Sequence, residues 1–321
     1  MVNCKLRILE TPEEMTAVEN LTRLVWPDSE IDIVPAHLLI AMARNGGLII
    51  GAYPNGEEDD WSITEEQEPV EGPLIGYVFG FPGLYHTPDG PRTKHYSHQL
   101  AVHPDYRNQG IGFALKRAQW QMVRHQGIDR INWTFDPLLS ANAHLNIARL
   151  GAVCNTYLLN MYGPMRDGLN AGLASDRLMV DWWVNSKRVE RRLSSKPRLK
   201  LDLAHFLAGG AQILNPSHLN EEGLPEPGTA DFGEGGQDAP ASLPELDENL
   251  VEDNPILLLE IPDDFQSLKA KDLELAQKWR QQTRHLFEAL FTQGYLITDF
   301  IFLHSATPRS FYVLSHGERT L

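Results

Sequence analysis

Arg107, Gly110 and Gly112 stand in the stretch "RNQGIG", between a run that reads as a strand, "HYSHQLAVHP", and one that reads as a helix, "FALKRAQWQMVRHQG". That combination suits anion binding. The first turn of a helix leaves backbone N–H groups without intrahelical partners and carries the positive end of the macrodipole. Glycines strip the turn of Cβ atoms, so the backbone can approach phosphate oxygens closely. Each charge-assisted hydrogen bond is worth roughly 1.5–3 kcal/mol, so a few of them account for a micromolar ligand, about −8 kcal/mol. Taken alone, the two glycines would equally serve a plain strand-to-helix turn. No P-loop Lys-Ser/Thr pair follows, and Leu115 occupies the third glycine of a dinucleotide-binding G-x-G-x-x-G. The strand before the loop carries His95, His98 and His103. Strict alternation puts His98 on the face of Leu100 and Val102, with His95 and His103 on the other, so adjacent histidines point apart and make no metal chelate.

The elements around this loop follow from period and punctuation. "NCKLRIL" alternates as a strand, and "TPEEMTAVENLTRLVW" opens with Thr11 at the N-cap, Pro12 at the first helical position and Glu14 completing a capping box. A second helix, "AHLLIAMARN", follows Pro35 and stops at Gly46 and Gly47. "GLIIGAYP" and "LIGYVFGFPGLY" read as strands joined by an acidic loop, and "HYSHQLAVHP" is the fourth strand. Its helix carries Ile111, Leu115, Ala118 and Met122 on one stripe and ends at Gly127. "RINWTFDP" gives a fifth strand. "ANAHLNIARL" gives a helix with Ser140 as N-cap and Gly151 as its stop, and "VCNTYLLNMY" and "RLMVDWWVN" are two further strands. In the last of these Trp182 and Trp183 point to opposite faces, one to the core and the other to a contact surface or substrate pocket.

Composition bounds the rest. The chain of 321 residues has 42% hydrophobic content, enough for an ordinary buried core. Its longest apolar runs fall far short of the ~18 residues of a membrane span, and two cysteines, Cys4 and Cys154, form neither a disulfide framework nor a metal-ligand pattern. A cytoplasmic, metal-free protein is expected. The net charge of −15 is unevenly placed, because residues 215–254 hold eleven acids and no Lys or Arg. That Pro- and Gly-rich segment reads as a flexible linker or long loop. Just before it, "SKRVERRLSSKPRLK" sets seven basic residues against one acid; it reads as a solvated face, a partner for the acidic loop, or a site for an acidic ligand. No basic stripe interleaved with aromatics indicates nucleic acid. Beyond the linker come a strand, "PILLLEIP", one long helix over "DDFQSLKAKDLELAQKWRQQTRHLFEALFTQG" with Leu268, Leu275, Leu286 and Leu290 among its apolar positions, and two closing strands.

The order strand, two helices, three strands, helix, strand, helix, two strands, together with "LAVHPDYRNQGIGFAL", resembles the GNAT superfamily of acyl-CoA-dependent N-acyltransferases. Arg107, Gly110 and Gly112 fall on the Arg/Gln-x-x-Gly-x-Gly/Ala signature of that family. The likeness covers residues 3 to about 185 and is nearest to predicted bacterial and archaeal GNAT acetyltransferases with a C-terminal extension. It implies an α/β fold with a mixed sheet. Residues 1–186 would form the acetyltransferase domain and 187–254 a basic-then-acidic linker. Residues 255–321 would form a smaller strand-helix-strand-strand segment docked on the first domain, capping its substrate cleft. It also implies acetyl-CoA as acyl donor, with the backbone of Gln109, Gly110, Ile111, Gly112, Phe113 and Ala114, beside Arg107 and Asn108, holding the pyrophosphate. Leu100, Ala101 and Val102 would run along the pantetheine arm, and Asn142 would touch the cofactor.

N-acylation needs a free amine, and an ammonium of pKa ~10.4 costs about 4–5 kcal/mol to deprotonate at pH 7, so a general base is expected. His98 is the first candidate and Asp136, in "FDP", the second. At the position where many family members carry a Tyr that protonates the leaving thiolate, this chain has Ile147; Tyr157 or Tyr162 would have to substitute. Asn142 and Asn146 otherwise read as solvated polar positions. The expected partners are acetyl-CoA and a small amine or amino-acid-like acceptor, with no nucleic acid and no membrane, and a homodimer is compatible. The alternative is an acyl-CoA-binding module without transfer activity.

Overall fold

The computed structural model describes residues 4–27, 33–54, 63–64, 72–163, 172–194, 200–228 and 256–316. The chain divides into two compact units. The first comprises the residues up to Trp133 and regains the chain at Trp182–Asn185; the second runs from Thr134 to Asp181 and from Ser186 onward. The division therefore does not follow the expected 1–186 boundary.

In the first unit β1 (Cys4–Ile8) leads into α1 (Pro12–Val25) and α2 (Ala36–Arg44). The capping box forms as the sequence prescribes: Thr11 Oγ1 accepts from Glu14 N at 3.3 Å, and Glu14 Oε2 accepts from Thr11 N at 2.9 Å. Next come β2 (Leu48–Pro54), β3 (Ile63–Thr64), β4 (Gly76–Thr87) and β5 (Gly90–Val102), followed by α3 (Ile111–His125) and β6 (Arg130–Phe135). The strands lie in the order β3-β1-β2-β4-β5-β6. β1, β2, β4 and β5 pair antiparallel, while β3 runs parallel to β1 and β6 parallel to β5, so the sheet is mixed. Leu9, Met15, Val18, Leu21 and Leu39 bury one face of it together with Tyr77, Phe79 and Ala101. On the opposite face a Cβ at Gly76 would meet Ile111 and Leu115 of α3. Helices thus cover both faces. Trp120 Nε1 donates to Val184 O at 2.7 Å, tying the end of β8 (Arg177–Trp183) to α3.

In the second unit the α4 turn (Ser140–Ala143) runs into a π-helical turn, His144–Arg149. Ser140 is not the N-cap. Leu139 holds that place, and Ser140 Oγ is bonded at 2.7 Å to Ser310 Oγ of the C-terminal segment. The stop at Gly151 does form, with φ +80. The expected strand "VCNTYLLNMY" is reduced to β7 (Tyr157–Leu158), paired antiparallel with β8, and to single bridges from Val153 to Asp181 and from Cys154 to Ile297. Asn160 at φ +43 turns the chain away.

The basic stretch becomes α5 (Lys187–Leu193), and two of its arginines are structural. Arg188 donates to Gly151 O at 2.9 Å and to Thr298 O. Arg192 donates to Ala148 O and pairs with Asp299 at 2.8 Å. The linker reading also begins too early. After α6 (Leu203–Ala208) and β9 (Gln212–Ile213), residues 215–228 are fastened down as the hairpin of β10 (His218–Leu219) and β11 (Pro225–Glu226). Buried Asn215 bonds Glu260 and Gln282, and Ser217 bonds the Glu260 carboxylate. Trp279 Nε1 donates to Pro225 O at 2.8 Å. Residues 229–255 of the linker reading lie outside the described residues.

The C-terminal segment contains β12 (Ile256–Ile261), α7 (Phe265–Lys271), α8 (Leu273–Thr292), β13 (Tyr295–Leu303) and β14 (Arg309–His316), with strand order β13-β14-β12-β9. One long helix was expected, and two form. Asp272 takes an extended conformation and its carboxylate accepts from Leu275 N at 2.9 Å, an N-cap that starts α8 afresh. Leu268, Leu275, Leu286 and Leu290 are all buried as their spacing predicts. Among the described residues no helix is long and apolar enough to cross a membrane.

Candidate active site

The "RNQGIG" turn has the geometry its composition suggests. Pro104–Tyr106 form a 3-10 turn in which His103 Nδ1 accepts from Asp105 N at 3.3 Å. Arg107 reaches back with Nε 3.4 Å from Val102 O, and Gln109 Nε2 donates to Asp105 O at 2.9 Å. Asn108 and Gly110 both lie in the left-handed region, at φ +61 and +90. Gly110 is the N-cap of α3 and no side chain caps the helix. The first intrahelical bond is Ala114 N to Gly110 O at 3.0 Å, so the amides of Ile111 and Gly112 stand outside the ladder. A bare, positive helix start of this kind fits a pyrophosphate. Arg107 and Asn108 are exposed, Gln109, Gly110, Gly112 and Phe113 half-buried, and Ile111 and Ala114 are in the core.

β5 and β6 pair in parallel at His95↔Ile131 and Tyr96↔Asn132. Leu100 and Val102 lie beyond that register, on the α3 face of β5, and Ala101 is buried against Tyr77 and Phe79. His98 does not share the face of Leu100 and Val102. Gly80 pairs with Ser97 and Phe79 with Gln99, which makes His98 the extra residue of a β-bulge. One inserted residue reverses the alternation. The imidazole lies instead against the rings of Phe79, Phe81 and Tyr96, at 5.1, 6.1 and 6.1 Å, and the residue is exposed.

His95 and Ser97 face α3 and meet a buried cluster that periodicity did not reveal. Lys116 Nζ donates to Ser97 Oγ at 2.8 Å and Gln119 Oε1 at 3.1 Å, and sits 3.6 Å from the centroid of Trp133. Gln119 contacts His95 Nε2 at 3.3 Å. Burial, reinforced by Lys116, pushes the His95 imidazole down to about 3, and burial holds the Lys116 ammonium well below the ordinary lysine value. An apolar stripe through Ile111, Leu115 and Ala118 leaves Lys116 and Gln119 looking like solvent positions; only packing against β5, Trp133 and Trp182 shows otherwise. The unfolded chain binds a proton here up to about pH 10.4, while the folded chain releases it earlier. Between those two values stability therefore rises with pH. Lys116→Met is expected to stabilise the protein at pH 7 by about 1–4 kcal/mol, with the gap to wild type closing towards pH 10. Thermal melts of both proteins across that range check it, and a gap that stays constant would overturn it.

Asp136 directly follows β6, lies in the second unit and is not a free carboxylate. Its Oδ1 accepts from Leu138 N at 2.9 Å, and its Oδ2 is 2.5 Å from Arg280 Nη2 and 3.7 Å from Arg177 Nη1. Both of its oxygens are thus engaged within this unit rather than turned to a substrate. Tyr157 is also engaged: its hydroxyl donates to Asp176 Oδ2 at 2.9 Å, and burial together with that carboxylate pushes it far above an ordinary phenol. Tyr162 differs, being 46% exposed with its hydroxyl 2.9 Å from Thr134 Oγ1 and its ring 5.4 Å from the Arg177 guanidinium. Ile147 lies in the π-turn, fully buried; Asn142 is exposed, but Asn146 is buried, against expectation. Trp182 is core and Trp183 half-exposed, with Arg130 stacked 5.1 Å from its ring.

Residues 25–151, which carry β2 to β6, the uncapped start of α3 and the π-turn, match the family model "Acetyltransferase (GNAT) family". Over this segment the chain is similar to the GNAT acetyltransferases. The mixed sheet with helices on both faces is the GNAT fold, extended by C-terminal strands and helices. Many solved structures are similar to the chain. The ribosomal-protein-S18-alanine N-acetyltransferase from Escherichia coli is 14% identical over 61% of this chain and 99% of its own, at a TM-score of 0.39. NAA60 from Arabidopsis thaliana, in complex with a bisubstrate analogue, is 17% identical over 57% and 100%, at 0.41. Ard1 from Thermoplasma volcanium is 15% identical over 56% and 97%, at 0.39. No curated protein sequence matches the chain.

Proposed function

We propose that the protein is an acetyl-CoA-dependent N-acetyltransferase that acts on a small amine or amino-acid-like acceptor by direct transfer in a ternary complex. The observation that carries this reading is the uncapped α3 start at Gly110, lying within the GNAT-matched segment. Bound there, acetyl-CoA supplies an activated acyl thioester. The amides of Ile111 and Gly112, beside Arg107, hold its pyrophosphate, and the Leu100–Val102 stretch lines its arm. His98, an exposed imidazole on the bulge, accepts the proton of the attacking amine. The departing thiolate, whose unperturbed pKa is ~8.5, needs only modest assistance from an acid.

His98→Ala is expected to lower turnover by about 10²–10⁴ while leaving acetyl-CoA affinity within about twofold. Steady-state thiol release over an amine panel, paired with calorimetric titration of acetyl-CoA, separates the two effects. A variant with wild-type turnover would remove His98 from the mechanism. The second reading, an acyl-CoA-binding module without transfer, is favoured by buried Ile147 at the family's usual Tyr position and by Tyr157 being committed to Asp176. Cofactor binding with no thiol release under any amine would decide for it.

A further inference from the structure

His98 is the extra residue of the β5 bulge, and the residues on either side of it are both fastened by side chains. On the α3 face, buried Ser97 accepts from Lys116 Nζ at 2.8 Å, and Gln119 Oε1 takes a second bond from the same nitrogen at 3.1 Å. On the α1 face, Gln99 Oε1 accepts from the Tyr77 hydroxyl at 3.1 Å, and that hydroxyl lies 2.7 Å from Thr22 Oγ1. The bulge is thus held from both helical layers of one unit. β4 leaves it no slack, because a Cβ at Gly80, the partner of Ser97, would run into His95 Nε2 and Tyr96 O.

A lysine is a costly way to hold a strand. Burial keeps its ammonium well below the ordinary lysine value, and an apolar side chain in its place is expected to be the more stable choice. Where a buried polar contact lowers stability, what it can supply is a fixed geometry. The geometry at stake here is that of His98. A bulge that slipped towards the start of β5 would carry His98 to the α3 face and take Ser97 out of its pairing with Gly80, where Lys116 now holds it. We infer that Lys116, acting through Ser97, is a positioning residue that keeps His98 on the side of Phe79, Phe81 and Tyr96. Its catalytic use rests on the reading of His98 as the base.

Ser97→Ala and Lys116→Met, each made in the full chain, break the bond from its two ends. In protein carrying carbon-labelled histidine, the His98 ring signal is identified by its loss in His98→Ala. The wild-type signal is displaced by the ring currents of Phe79, Phe81 and Tyr96. In both variants it is expected to move towards the position of a free imidazole while the His103 signal stays in place. Turnover is expected to fall by about 10–10²-fold, with acetyl-CoA affinity kept within about twofold. In a His98→Ala background neither substitution lowers turnover further, an outcome that general damage to the sheet would not produce. Thermal melts show that each variant is folded; if Ser97→Ala is not, Lys116→Met decides alone. A His98 signal unchanged in both variants overturns the positioning role. So does a loss of turnover in His98→Ala that neither Ser97→Ala nor Lys116→Met reproduces, which leaves the base itself in place. Wild-type turnover in His98→Ala removes the base reading instead, and with it any catalytic use of Lys116.

Discussion

Gly110→Val abolishes acetyl-CoA binding, with an expected loss of two to four orders of magnitude in affinity. Two costs combine. At φ +90 a β-branched residue is strained by about 1–3 kcal/mol, so the N-cap moves out of its present conformation. Its side chain also occupies the space through which phosphate oxygens reach the amides of Ile111 and Gly112. Losing two charge-assisted bonds at roughly 1.5–3 kcal/mol each gives about 3–6 kcal/mol, which is the stated range of affinity. Calorimetric titration measures it directly, with desulfo-CoA and ATP as companions. Wild type is expected to take both CoA compounds and to leave ATP in solution. A valine variant that still binds acetyl-CoA as wild type does would show that the glycine serves only the turn, and the cofactor reading would lose its main support.

Asp136→Ala unfolds the protein more readily than any surface change, at an expected cost of about 3–5 kcal/mol. The variant leaves Arg280 and Arg177, both nearly buried, without their shared counter-charge. It also deletes the turn made by Asp136 Oδ1 and Leu138 N. The pair itself need not be a net source of stability, since desolvating two charges offsets most of their attraction. Asp136→Ala with Arg280→Met is therefore expected to recover a large part of the loss, because it removes both charges together. Urea unfolding of the two variants at one pH tests this. If the double variant is as unstable as the single, the damage lies in the lost turn and not in the stranded guanidinium groups.

The contrast between these two positions shows where sequence reading reaches. Gly110 is legible because everything that defines it lies within a few residues: a strand, two glycines, no capping side chain and a helix with an apolar stripe. Asp136 is not, because its partner stands 144 residues later on α8. As a residue in "FDP" it reads as a base candidate as readily as a turn. Lys116 is hidden for a similar reason, since no periodicity tells that β5 and two tryptophans will close over that side of α3.

What the sequence determined by itself was the local chemistry of the backbone. Thr11 with Glu14, Gly110 and Gly151 fix a cap, a bare helix start and a left-handed stop through side-chain reach and φ alone. What only the tertiary structure decided was partnership. A single extra residue in β5 turned His98 to the other face, Ser310 drew Ser140 away from a capping role, and Ile297 left Cys154 with one bridge in place of a strand. Caps and turns are energies of a few neighbouring atoms, whereas registers and ion pairs depend on which distant segment arrives. That choice is made by burial summed over the whole core, and no short stretch of the chain contains it.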